Sequence, residues 1–213
     1  MPAMDNDAFD RKLVEAAFTL IAERGWRRMS VAEAARQADL PLDQARARFP
    51  VRAVVLLRFG LQADQAALAL APKEGPHRDR LFDLLMRRFD FLQTHRPGVL
   101  ALLRALPAEP CVTALLTAAN RRSMAWMLEG AGISARGPLG RLRTRGLLVV
   151  WLAGVRAWRQ DTSTDLSATM AALDRALTRA EQVEGWLACR RRSAAPPPEP
   201  EPNPPEAAPA PAG

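Results

Sequence analysis

The chain has 213 residues, 48% of them apolar and none of them Tyr, enough for one large or two small domains sharing a core. Its net charge of +7 is nearly all Arg, which is compatible with a polyanionic partner but does not require one. Cys111 and Cys189 stand far apart and outside any CxxC or Cys/His cluster, so neither a zinc site nor a disulfide framework is indicated and Cys111 is expected to be structural filler.

Ala, Leu and Arg dominate the composition, which favours helix nearly everywhere. Asp7 to Arg24 is the first expected helix, with Phe9, Leu13, Ala16, Ala17, Leu20 and Ile21 on one stripe. Gly25 follows where a left-handed residue usually closes a helix, and Trp26 is expected to plug the corner behind it.

From Ser30 to Arg52 the pattern is that of a helix-turn-helix. Ser30 with Glu33 forms a capping box, and Val31, Ala34, Ala35 and Ala38 share one face. Asp39 takes the turn position, as one of the few residues that tolerate a left-handed conformation. Pro41 ends the first helix and suits the start of a second, Leu42 to Arg48. That second helix carries Gln44, Arg46 and Arg48, which can reach phosphates or base edges in a major groove. Between Arg24 and Arg58 eight Arg face only Glu33, Asp39 and Asp43, a surplus of five charges over 35 residues. Such a patch fits a phosphate-facing surface, although a helical corner with a solvated basic face has the same pattern.

Phe49-Pro50 closes the hairpin, and a long helix is expected from Val51 to Ala71, ended by PKEGP at 72–76. Helices are then expected over His77 to Thr94, Gly98 to Leu106, Pro110 to Glu129 and Leu139 to Arg159, with GISARGPLG as a loop. The run Leu147 to Val155 is apolar on more than one face, so it is expected to be buried on several sides and against a second subunit. The same run covers only about half a bilayer between Arg145 and Arg156, so no membrane span is expected. Thr162, Ser163 or Thr164 is expected to cap the last helix, whose stripe is Leu166, Met170, Leu173, Leu177 and Ala180. From Arg190 the sequence reads as an extended Pro-rich tail. The start, MPAMDNDAFDRK, is too acidic and polar for a signal peptide, which gives an expected cytoplasmic location.

The stretches AAFTLIAERGW at 16–26, Ser30-Val31-Ala32-Glu33-Ala34-Ala35 and Phe49-Pro50-Val51-Arg52 carry a resemblance to the TetR family of one-component repressors, up to about Leu187. The resemblance implies an all-α fold of about nine helices, a DNA-binding domain over 1–52, a helical ligand and dimerisation domain over 53–189 and a disordered tail over 190–213. It further implies double-stranded DNA, a small apolar ligand and a second copy of the chain as partners. Ser30 and Arg52 would contact phosphate, with Leu42, Gln44, Ala45, Arg46 and Arg48 lying in the major groove. The implied pocket draws on Phe89, Leu92, Leu103, Trp126, Met127, Trp151 and Val155, each of which serves equally well as core. The chain departs from the family pattern where Asp43, Gln44, Ala45 and Arg46 replace a Gly-x, hydroxyl, aliphatic and Tyr series. Arg46 can replace the Tyr contact to phosphate with a charged one, while Asp43 opposes it.

A second resemblance runs through Leu142 to Leu177 and RRSMAWML at 121–128, which look similar to lipid-binding accessory proteins of ubiquinone biosynthesis. That alternative implies a TetR-like fold without operator binding, holding an isoprenoid quinone precursor for a hydroxylase. Against enzyme function, His77 and His95 stand apart, and no nucleophile elbow, phosphate loop or metal-ligand spacing is present. The carboxylates are expected on exposed helix faces, and no cofactor is expected.

Overall fold

The structure, a computed structural model, describes residues 5–72 and 74–193, with side chains as far as Gln182. The described residues form nine α-helices and no strand: α1 (Asn6–Arg24), α2 (Val31–Gln37), α3 (Leu42–Arg48), α4 (Ala53–Leu68), α5 (His77–Thr94), α6 (Arg96–Ala105), α7 (Pro110–Gly130), α8 (Gly137–Gln160) and α9 (Ser167–Ser193). Single 3-10 turns at Trp26–Arg28 and Leu106–Ala108 join α1 to α2 and α6 to α7.

α1 buries Phe9, Leu13, Ala17 and Ile21 along its expected stripe. Gly25 closes it at φ 82 and ψ 159, a region that only glycine occupies freely and that lies beyond the ordinary left-handed cap. Trp26 then fills the corner as expected, and the Arg52 guanidinium sits 4.7 Å from its ring centroid. The Ser30 Oγ accepts the Glu33 N–H at 3.1 Å, so half of the capping box forms. The Glu33 carboxylate instead pairs with Arg24 across the corner. Asp39 adopts φ 52, and the next amide, from Leu40, donates to the Ala35 carbonyl at 2.8 Å. That pair of features turns the chain sharply without glycine.

α1 packs on α2, α4 and α6, and α4 continues onto α5 and α7. Phe18 of α1, Phe59 of α4 and Phe91 of α5 form an aromatic seam, with centroid separations of 4.0 and 5.2 Å. The core is therefore continuous across residue 52, and the described residues up to Ala180 make one compact unit.

Several ends differ from expectation. α4 starts at Ala53, just after the Pro50 corner, and stops at Leu68, shorter at both ends than 51–71. α6 starts at Arg96 and admits Pro97 in its first turn, where a missing N–H is harmless. α8 begins inside the expected loop, at Gly137 with Pro138 next. α9 begins at Ser167, later than expected, and the Ser163 Oγ and Asp165 Oδ1 both accept from the Ser167 N–H at 3.1 Å. Leu173 and Leu177 of its stripe are buried. α9 runs through Ser193, so the expected tail starts later than Arg190, and its residues 194–213 lie outside those described. Cys111 is exposed on α7 and so is not core filler, while the side chain of Cys189 lies outside those described.

Candidate nucleic-acid interface

Within α3 the sequence divides cleanly into two faces. Ala45 is 1% exposed and packs inward, at the floor of the groove that α3 borders rather than on its outer face. Its small side chain is what lets α3 sit close to the rest of the unit. Leu42, Asp43, Gln44, Arg46 and Ala47 face outward. Ser30, at the start of α2, is exposed beside them. Ser30, Leu42, Arg46 and Arg52 line one groove of about 690 Å³ between the start of α2 and the corner that joins α3 to α4. Gln44 and Arg48 stand outside that groove.

The three arginines expected at the interface have different partners. Arg46 donates one bond to the Pro50 carbonyl at 2.7 Å and otherwise stays exposed. Its guanidinium has five donors, so four remain for a phosphate. Arg48 turns back to α1: Nε donates to Asp10 Oδ1 at 2.7 Å and Nη1 to Asn6 Oδ1 at 2.7 Å. The hydrogen bond to Asp10 is the main cause that raises the Arg48 pKa above its ordinary value. Arg52 donates to the Arg27 carbonyl at 3.2 Å and lies over Trp26, which ties the first turn of α4 to the corner behind α1. Arg48 and Arg52 thus hold α3 and α4 in place, and Arg46 is the arginine of the three aimed outward.

Asp10 is 4% exposed and also receives Arg58 of α4 at 3.3 Å. Sequence reading placed the carboxylates on wet faces and missed it. The signal was there in its spacing: Asp10 follows Phe9 and lies three residues before Leu13, on the edge of the buried stripe.

In the later helices the expected pocket residues separate as well. Phe89, Leu92, Met127 and Trp151 are buried, Leu103 and Val155 are half-buried, and Trp126 is 59% exposed on the outside of α7. Within the single chain Trp126 therefore lies outside the interior that Phe89, Leu92, Met127 and Trp151 share. Phe89 and Trp151 stack at a centroid distance of 4.5 Å. Beside them Arg88, 3% exposed, lies 4.6 Å from the Trp151 ring and 3.1 Å from Asp64 Oδ1. Ser123 donates to the other Asp64 oxygen at 2.6 Å. Burial lowers the Arg88 pKa and raises that of Asp64, each opposed by the charge of the other. This polar cluster from α4, α5 and α7, with the α8 ring of Trp151 against it, was also invisible in the sequence.

α8 buries Leu147, Val150 and Trp151 but leaves Leu142, Val149 and Leu152 exposed at 47%, 68% and 54%. Its own chain thus covers one side of α8 and leaves open the side that the sequence assigned to a second subunit. Among the described residues no helix is long and apolar enough to cross a membrane.

The fold has clear counterparts among solved structures. A TetR transcriptional regulator from Nitrosomonas europaea superposes with a TM-score of 0.67 at 20% identity, covering 81% of this chain and 98% of its own. A TetR-family regulator from Streptomyces coelicolor gives 0.56 at 20% identity, covering 91% and 92%. A TetR regulator from Rhodococcus sp. RHA1 gives 0.57 at 17% identity, covering 83% and 97%. No family model and no curated protein sequence matches the chain. The fold is TetR-like. The resemblance to lipid-binding accessory proteins gains no support from these structures.

Proposed function

We propose that this chain is a ligand-responsive repressor of TetR type, which binds double-stranded DNA as a homodimer. The observation that carries the proposal is the outward face of α3, where Leu42, Gln44 and Arg46 stand exposed beside the α2 start at Ser30. In this reading Gln44 meets base edges, most favourably adenine, and Arg46 and Ser30 meet phosphates. Arg48 and Arg52 act by fixing α3 and α4, since their guanidinium groups are engaged within the protein.

The second copy covers α8. Leu142, Gly146, Val149 and Ala153 recur at helical spacing on its exposed side, with Leu152 next to them. With α9 beside it in each chain, this stripe suits a four-helix contact between two subunits. An apolar ligand held among Phe89, Leu92, Met127, Trp151 and Val155 would favour a dimer whose two α3 helices no longer match half-sites one helical turn apart.

The test is a mobility-shift titration of the full chain on DNA from upstream of its own gene, against random duplex at moderate salt. The proposal expects the upstream duplex to bind at least about a thousandfold more tightly. Equal affinity for both would count against it.

A further inference from the structure

We infer that the Arg88 guanidinium is the polar recognition point of the ligand domain, and that the ligand it selects is an apolar molecule carrying a neutral carbonyl oxygen. The inference rests on the ligand-responsive reading above and gives that ligand a chemical class.

The argument starts from unspent hydrogen-bonding capacity. Arg88 Nη1 is buried and meets no acceptor among the described residues. Arg88 Nε and Asp64 Oδ1 are 3.1 Å apart, yet neither makes an aligned hydrogen bond. Buried polar groups in native proteins are nearly always paired, so an unpaired guanidinium N–H in the interior calls for a partner. A pair kept only to hold α4 against α5 would do so better with its donors aimed at the carboxylate.

The setting selects what the partner can be. The Trp151 ring lies over the guanidinium at 4.6 Å and stacks on Phe89. Gly154 keeps α8 close to that pair, since a Cβ there would stand 2.8 Å from Phe89 Cζ. The body of a ligand that reaches Arg88 must therefore lie against aromatic surface and take the place of the buried Trp151 ring over the guanidinium. Its polar end must be an acceptor. Asp64 already neutralises Arg88, so a carboxylate would leave the cluster with a net buried charge, which is strongly disfavoured. A ketone or ester oxygen supplies the acceptor without the charge.

The test measures binding of decan-2-one, decanoate and dec-1-ene to the full chain by calorimetry. Decan-2-one should bind at least about tenfold more tightly than dec-1-ene, the difference made by a hydrogen bond to a charged donor, and decanoate should bind more weakly than the ketone. In Asp64→Leu/Arg88→Met, which removes both charges and leaves neither stranded, the ketone should lose its advantage while dec-1-ene binds as before. Equal binding of ketone and alkene to the unmodified chain would overturn the role of Arg88 and leave the ligand-responsive reading intact. Tightest binding of decanoate would overturn the neutral class. Failure of all three to bind would count against both the inference and the reading beneath it.

Discussion

At Asp10 two arginines converge, Arg48 from α3 and Arg58 from α4, on a carboxylate that is 4% exposed. Removing one leaves part of a buried acceptor unpaired, so Arg48→Ala should lower stability by about 1–3 kcal/mol, read from the urea midpoint. Among the described residues Arg46 bonds only to the Pro50 carbonyl, from an exposed position. Arg46→Ala should therefore leave stability within about 0.5 kcal/mol while weakening DNA binding across all sequences and reducing the salt slope by about 1. If the two variants exchanged these effects, the division of labour between the arginines would be wrong. Asp161 has a pH signature of its own. Hydrogen bonds from the Ser163 and Thr169 hydroxyls and amides hold its carboxyl well below the usual carboxylate range. A depressed folded-state pKa contributes stability that is complete above the unfolded value of about 4 and is lost as the pH falls below it. Urea titrations of wild type and Asp161→Asn should differ most near neutral pH and converge in acid.

α1 and α6 approach one another at Gly98, where a Cβ would lie 2.4 Å from the Phe18 carbonyl oxygen. Gly98→Ala must push the two helices apart and should cost at least about 2 kcal/mol, measured as a fall in thermal or urea midpoint. The helices themselves were legible in the sequence. α5 has the expected ends, and α3 does too, because Pro41 and Phe49-Pro50 bracket it with local chemistry. The misplaced ends have equally local causes. Pro97 was read as a boundary although the first turn tolerates it, and the α9 cap draws on Ser163 and Asp165 around a left-handed Leu166 at φ 56. Buried charge was the larger omission. Asp64, Arg88 and Ser123 meet across separations that periodicity along one helix cannot register.

Across the whole molecule, the exposed stripe of α8 sets apart what one chain covers from what two would. Sequence reading expected its apolar run to be buried on several sides and against a second subunit, and within one chain Val149 is 68% exposed. Periodicity reports that a face is apolar and is silent on whether its own chain or a second copy covers it. Val149→Arg should make the protein monomeric in light scattering at concentrations where the unmodified chain is dimeric. A dimer that persisted would move the proposed contact elsewhere. The TetR-like arrangement was legible because α1 to α3 carry dense local signals, whereas the pocket list mixed interior residues with the exposed Trp126. The proposed repressor depends on two α3 helices held at a fixed spacing, and selection from a pool of random duplexes by the full chain tests that most directly. The account predicts enrichment of a two-fold symmetric site with half-sites about one helical turn apart, lost in a Gln44→Ala/Arg46→Ala variant. A pool that emerges without any enriched motif would contradict it.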